Sequence, residues 1–476
     1  MNGRKVIFFE LNEVPFRILD YYCQKYAHST LAKKLPYCYQ YQTYTTDTIL
    51  SPWITWASLH RGVSANQHSI HHFGQDLSLI NQNYPPIWQI LANAGIRTGV
   101  FASLHSYPLP QSLYNYAFYV PDSFASSSKC FPEYLSVFQE FNLAMTRLSG
   151  RNVSTKVPQE ATKNLLLNIH KLGLKLHTFI DIARQLIQEQ IQTHRKNRRR
   201  IYQTVLSFDL FSHQLQASKP DFASFFTNHV ASVMHRYWAA AFPQDYQTLG
   251  YSHEWISKYK WEIDFAMHKF NQSFSRLIQF VEKNPEYTLW IASSMGQEST
   301  QAWSVKTQLY LTNIDKFMSA LSIPNYAWSS HRTMFPEVGV VIEVEWKERF
   351  FEKIRDLKIA GKPLEFSAKP DGLFALFFGH VNLPEKQIDS VEIAGQIFPL
   401  ESLGLENIPI EDETNTNAYH IPEGLLLIYD PLESTFQPHA RTQISTLEIT
   451  PMLLNNFSIP IPEYMHTSGK SPTLCI

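Results

Sequence analysis

Residues 288–296 read T-L-W-I-A-S-S-M-G, a hydrophobic strand ending in a turn closed by Gly296. Ser294 and Met295 fill that turn, and neither is a good ligand for a hard or borderline cation. A serine is a poor zinc ligand, and a thioether suits soft ions such as copper(I). Ser51 precedes Pro52, where serine is a preferred helix cap and proline is at ease in the first turn. The same hydroxyl is a candidate nucleophile, but an alcohol needs an adjacent base or a metal to act as one. His60, His68, His71 and His72 follow closely as candidate bases. His235 lies among Val233, Met234, Tyr237 and Trp238, a setting equally suited to a packed histidine. His420 sits at a strand entry after a polar loop. Two imidazoles alone bind zinc weakly.

Short apolar runs must position these groups. Lys5 to Phe9 reads as a buried parallel strand that breaks at Glu10-Leu11-Asn12-Glu13. A helix should follow Ser51-Pro52, and a helix over 86–94 stops at Gly95 before a strand over 97–102. That helix–glycine–strand order is the rhythm of a doubly wound α/β sheet. Leu165, Ile169, Leu172, Leu176, Ile180, Ala183, Leu186 and Ile187 recur at helical spacing, which predicts amphipathic helices capping the sheet. Further strands are expected over 221–226, 288–292 and 424–429, and a closing helix near 445–456. The 476 residues carry 41 Lys and Arg against 42 Asp and Glu, which excludes a global basic field for nucleic acid or an anionic membrane. The basic run at 194–200 reads as a solvated helix end. Cys23, Cys38, Cys130 and Cys475 show no C-x-x-C spacing and read as buried or free thiols. The run Val6–Phe9 is too short for a signal core, and no apolar stretch approaches the ~20 residues a membrane helix needs. The expected location is the cytoplasm.

Five ordered segments resemble the alkaline-phosphatase superfamily, in its type I phosphodiesterase/nucleotide pyrophosphatase branch. They are K-V-I-F-F-E-L-N-E (5–13), L-S-P-W-I-T-W-A-S-L-H-R-G (50–62, continuing to 70), F-F-T-N-H-V-A-S-V-M-H-R-Y-W (225–238), S-S-M-G (293–296), and A-Y-H-I-P-E-G (418–424) with I-S-T-L-E-I-T-P-M-L-L-N-N-F-S-I-P-I-P-E-Y-M (444–465). The resemblance implies a two-metal phosphoryl-transfer site in which one cation activates a Thr or Ser oxygen and the other binds the substrate oxyanion. Carried over residue by residue, it places the nucleophile on Ser51 and the first-strand ligand on Asn12, with Glu10 and Glu13 as alternates. It places the two histidines of one metal site on His235 and His420. That site's carboxylate falls near Ala231, just after Asn228 and His229. The Asp-His pair of the other site falls on Ser294 and Met295. One site has therefore lost its charged ligands, and the other keeps two imidazoles without a matching carboxylate, so a single-metal site would need His229, or a carboxylate such as Glu10 or Asp47, to join them.

The sequence thus predicts an α/β protein with a doubly wound, mostly parallel sheet. Core segments are expected at 1–103, 221–302 and 419–476, with a helical cap over 104–220 and a small α+β insertion over 303–418. The expected activity is that of a phosphodiesterase-like hydrolase or transferase acting on a small-molecule phosphate or sulfate ester. Ser51 is its nucleophile, and His235, His420, Asn12, Glu10, Asn228 and His229 are the candidate metal ligands. Trp53, Trp56 and Ser294 are expected to touch substrate. The cofactor is one divalent ion, zinc or manganese, or none. No nucleic-acid or membrane partner is expected, and the oligomeric state is open. The alternative is a degenerate member that binds a ligand or serves as a scaffold without catalysis.

Overall fold

In the computed structural model, residues 3–147, 158–331, 333, 337–368, 372–384, 391–433 and 441–465 are described. The chain is built on an eight-stranded sheet. In chain order its strands are β1 (Lys5–Leu11), β2 (Tyr39–Tyr44), β3 (Thr98–Phe101), β4 (Tyr116–Val120), β5 (Phe222–Thr227), β6 (Tyr287–Ala292), β7 (Glu423–Tyr429) and β8 (Thr442–Ser445). Their spatial order is β8-β2-β7-β6-β1-β5-β3-β4. β1 pairs in parallel with both β5 and β6, while β7 runs antiparallel to β6 and to β2. The fold is α/β with a mostly parallel sheet, as the sequence predicts. The strand over 424–429 runs opposite to its neighbours. Its amino end therefore lies beside the carboxyl ends of β1 and β6, which is how His420 comes close to residues that follow those strands.

Strand parity explains the unbroken apolar run of β1. Ile7, Phe9 and Leu11 enter one hydrophobic cluster, and Val6 and Phe8 enter another on the opposite face. Helix α1 (Pro52–Arg61) packs into the second cluster through Trp53, Trp56, Ala57 and Leu59. Helix α3 (His229–Ala241) packs into the first through Val230, Ala231, Met234 and Trp238. Between them in sequence lies helix α2 (Leu176–Ile191), within the span that the sequence assigns to a cap. The carboxyl edge of β1 thus sits between a helix carrying Ser51 at its start and a helix carrying His235 in its second turn.

Two boundaries differ from expectation. Tyr116–Val120 pairs with β3 as an edge strand of the central sheet, although it falls within the span assigned to the cap. Its aromatic sequence lacks the alternation that would have marked it. The periodic residues of 176–191 do form a helix, but Leu176, Ile180, Leu186 and Ile187 are exposed rather than packed on the sheet. Residues 309–405 gather their own apolar core around Phe317, Val340, Phe350 and Phe378. Cys23, Cys38 and Cys130 are free thiols, and Cys475 lies outside the described residues.

Candidate active site

β1 ends in Asn12-Glu13, and Glu13 takes a left-handed backbone with φ of 58°. That conformation is uncommon for a residue with a side chain and persists only where its surroundings enforce it. Here they do. The carboxylate is buried and accepts a hydrogen bond from Asn12 Nδ2 at 2.8 Å and another from Gln297 Nε2. His235 Nε2 lies 2.9 Å and His420 Nε2 3.2 Å from its Oε2. The two imidazole rings are 5.2 Å apart, centre to centre. Among the described residues, Glu13, His235 and His420 form the one group of three or more His, Cys, Asp or Glu whose ligand atoms all lie within 4.8 Å of one another.

The elements explain the convergence. A two-stranded antiparallel ribbon of Gly296–Ser299 with Ala418–Ile421 lies at the sheet's carboxyl edge and pairs Gln297 directly with His420. Directly opposed residues present their side chains on the same face, so both reach Glu13. Gly296 permits this placement, because a Cβ there would stand 2.2 Å from the Glu423 carbonyl oxygen. His235 Nδ1 donates to the Ala418 carbonyl at 2.7 Å, and His420 Nδ1 donates to the Leu50 carbonyl at 2.7 Å. A carbonyl only accepts, so Nδ1 carries hydrogen on both rings and both Nε2 atoms face the carboxylate. Such backbone anchoring of the far nitrogen is the usual support of a metal-binding histidine.

Electrostatics couple the three groups. Burial alone would raise the Glu13 pKa, but the facing His235 and His420 reverse this and hold it well below the usual carboxylate range. Burial would lower the His420 pKa, yet its hydrogen bond and charge attraction to Glu13 raise it overall. The chemistry of the set fits a single divalent cation. With both rings neutral, two lone pairs and a carboxylate oxygen converge, and their 2.9 and 3.2 Å separations approach the ~3.3 Å between ligands on ~2.0 Å bonds in a tetrahedral site.

Ser51 is half-buried, caps α1 without a side-chain hydrogen bond to the helix, and keeps an extended backbone (φ −135°, ψ 134°). Its neighbour Leu50 carries the carbonyl that His420 holds. The structure thus brings His235, His420 and the Ser51 turn together.

Other expected participants lie elsewhere. By strand parity Glu10 points to the α1 side, where His60 Nε2 contacts it at 3.1 Å and Ser103 donates to it at 2.9 Å, all three fully buried. His229 is buried, bonded through Nδ1 to Thr227 Oγ1 at 2.6 Å, and burial pushes its pKa down to about 4. Neither joins the cluster. Asp47 accepts from Ser58 at 2.7 Å and from the Ala65 N–H at 3.0 Å. Asn12 is a support: the Trp56 indole N–H, a pure donor, fixes its oxygen at 2.7 Å, which turns its amide toward Glu13 and toward Asn228 Oδ1. Trp56 and Ser294, expected at the substrate, are fully buried. Ser294 Oγ lies 2.8 Å from Thr55 Oγ1, and Met295 beside it is fully buried, so that turn is closed by packing. Trp53 is nearly buried against Phe73 and His105, with its N–H on the His72 carbonyl.

Of the candidate bases, His60 is held by Glu10 and His68 is also engaged. His68 Nδ1 accepts from the Ile70 N–H at 2.9 Å, so Nε2 donates to Ser58 Oγ at 2.9 Å, and Ser58 donates on to Asp47. This Ser-His-Asp trio runs in the wrong direction to activate its serine, and burial, with Arg61 and His71 nearby, pushes the His68 pKa down to about 3.

The sequence matches no family model and no curated protein. Among solved structures, the chain is similar to murine ectonucleotide pyrophosphatase/phosphodiesterase 5, determined as an inactive variant with AMP. That match has 9% identity, covers 98% of each chain and gives a TM-score of 0.43. It is also similar to phosphonoacetate hydrolase from Sinorhizobium meliloti 1021 with phosphonoformate (10% identity, 96% of each chain, TM-score 0.40) and to a variant of alkaline phosphatase PafA (12% identity, 98% of each chain, TM-score 0.44). At such identities and scores, function rests on the site's own side chains.

Proposed function

We propose that the protein is a phosphoester hydrolase or transferase that uses Ser51 as nucleophile beside a site for one divalent cation, made by Glu13, His235 and His420. The observation that carries this reading is the 2.7 Å hydrogen bond from His420 Nδ1 to the Leu50 carbonyl. It fixes a cluster ligand to the backbone adjoining a serine whose hydroxyl is not spent on capping.

A cation in this cluster would lower the pKa of a bound hydroxyl and offset charge developing on substrate oxygens. The protein's own contributions are positional. The Ser51 turn lies at the start of a ten-residue helix, where the dipole favours an anionic group. Asn12 and Gln297 hold the Glu13 carboxylate, and the Ala418 and Leu50 carbonyls orient the two imidazoles. Because the Ser294-Met295 turn is closed by packing, a second cation has no charged ligands there. Small phosphate or sulfate esters should therefore turn over slowly, with an incomplete electrostatic cradle.

One observation favours the scaffold reading: the 2.9 and 3.2 Å separations of Glu13 from His235 and His420 also suit a salt-bridged trio of side chains. A screen of aryl phosphate, phosphodiester and sulfate esters with manganese- or zinc-loaded protein separates the two. The enzyme reading expects turnover that Ser51→Ala reduces at least about a thousand-fold with substrate binding retained. Silence across the screen, with equal ligand binding by parent and variant, assigns the protein to the scaffold class.

A further inference from the structure

Helix α2 is amphipathic in the reverse of the usual sense. Leu176, Ile180, Ile187 and Ile191 are 76, 45, 64 and 79% exposed, and Ala183 between them is exposed too. Their spacings of four, three, four and four residues place them in one stripe along the helix. Thr178, Gln185 and Glu189, on the diametrically opposite side, are the buried ones. That inner face is polar and specifically bonded: Thr178 to Asp209 at 2.6 Å, Gln185 to the Arg195 carbonyl at 2.7 Å, and Glu189 to Arg199. Phe179 and Ile182, beside that face, pack against the core, so apolar and polar contacts together hold the helix while a second apolar stripe faces outward, a burden that needs a reason.

Charge identifies the occupant. Between residues 158 and 200 stand nine Lys and Arg and three Asp and Glu, a local excess of six in a chain whose total is −1. Asp181 and Glu189 are paired with Lys269 and Arg199, and Arg198 is buried against Glu262, so the charge offered at the surface is that of the exposed bases, with Glu160 as the other acid of this span. Lys163, Lys171 and Arg184 are exposed, and Arg184 and His177 flank the stripe. A second copy would set this basic surface against its like. Among the described residues no helix is long and apolar enough to cross a membrane, so any bilayer contact would be at the surface.

We propose that α2 docks the protein on the surface of an anionic lipid bilayer, with Leu176, Ile180, Ile187 and Ile191 entering the headgroup–acyl boundary and Lys171, Arg184 and their neighbours meeting the lipid charge. The absence of a global basic field does not oppose this, because the screening length near 8 Å makes local charge decide.

The test is flotation of the full chain with vesicles of phosphatidylcholine alone or of phosphatidylcholine with phosphatidylserine, at low and high salt. Binding to the anionic vesicles is expected, at least about ten-fold weaker on neutral ones and weakened by salt. Ile180→Gln with Ile187→Gln should lower partitioning at least about ten-fold, as should Lys171→Glu with Arg184→Glu. All four sites are exposed, and unchanged circular dichroism verifies the fold. Failure to float with anionic vesicles overturns the proposal, as does equal binding by the variants. A dimer in solution that the isoleucine substitutions dissociate would assign the face to a second copy instead.

Discussion

Glu10 and Glu13 leave the same strand end three residues apart, and each meets histidine at about hydrogen-bond distance, yet the two places are built for different ends. Glu10 and His60 are sealed under α1, with the His60 ring 5.3 Å from that of Trp56 and 4.8 Å from that of Trp88. Among the described residues, His60 Nδ1 and Glu10 Oε2 have no hydrogen-bond partner. At Glu13 both rings have their far nitrogen anchored on a backbone carbonyl, and His235 keeps 23% of its side chain exposed. A carboxylate–imidazole pair by itself therefore says little about function. Fixed ring orientation, a second imidazole and an opening to solvent make the difference.

The largest test of that contrast is Glu13→Ala. It should abolish tight cation binding, measured by elemental analysis of dialysed protein, and with it any Ser51-dependent turnover. At most one ion per chain is expected in the parent, and finding two would show that ligands lie elsewhere. Loss of the ion in a Glu10 variant of intact fold would break the contrast outright.

Glu10→Leu should instead cost stability. Removing one partner of a buried pair leaves the other without compensation, and about 3–5 kcal/mol is the usual penalty. Chemical denaturation should register that loss while cation occupancy and ester turnover stay near those of the parent. A variant as stable as the parent would mean that Glu10 and His60 contribute nothing as a pair.

Much of this layout is legible in the sequence, and the misses have physical causes. The β1 run, the serine–proline start of α1 and the glycine-closed turn at 293–296 all mark elements correctly, because composition at a strand end or helix start is a local property. The pairing of His235 with His420 was expected from motif order alone. The carboxylate between them was not singled out: Glu10, Asn12 and Glu13 are equivalent in composition, and what selects Glu13 is a left-handed backbone that carries its side chain across the sheet's edge. Glu10 is excluded by strand parity, which becomes decisive only once the layers are known. The outward stripe of α2 was legible as a period and misread in direction. Periodicity shows that a helix has two faces, and the Asp209, Arg195 and Arg199 contacts that turn the polar one inward are formed with residues outside that helix.

The smallest expected effect is a change of sign with pH. In cation-free protein His420 has a raised pKa, so its stabilising bond to Glu13 is fully present below the unfolded histidine value of ~6.5 and is lost as pH rises through the folded value. Glu13, held low, contributes above ~4.3 and loses its contribution as pH falls through its folded value. Stability from this cluster should therefore decline from mildly acidic toward alkaline pH, by at most about 1.4 kcal/mol per pH unit for one proton. A cation reverses the slope, because it binds the neutral ring and displaces that proton. Saturating manganese or zinc should raise the unfolding midpoint more at pH 8 than at pH 6, and His420→Ala should remove the difference. A cation-induced shift that is flat with pH, or larger at pH 6, would mean that the ion binds away from His420 and that Glu13 resembles Glu10 after all.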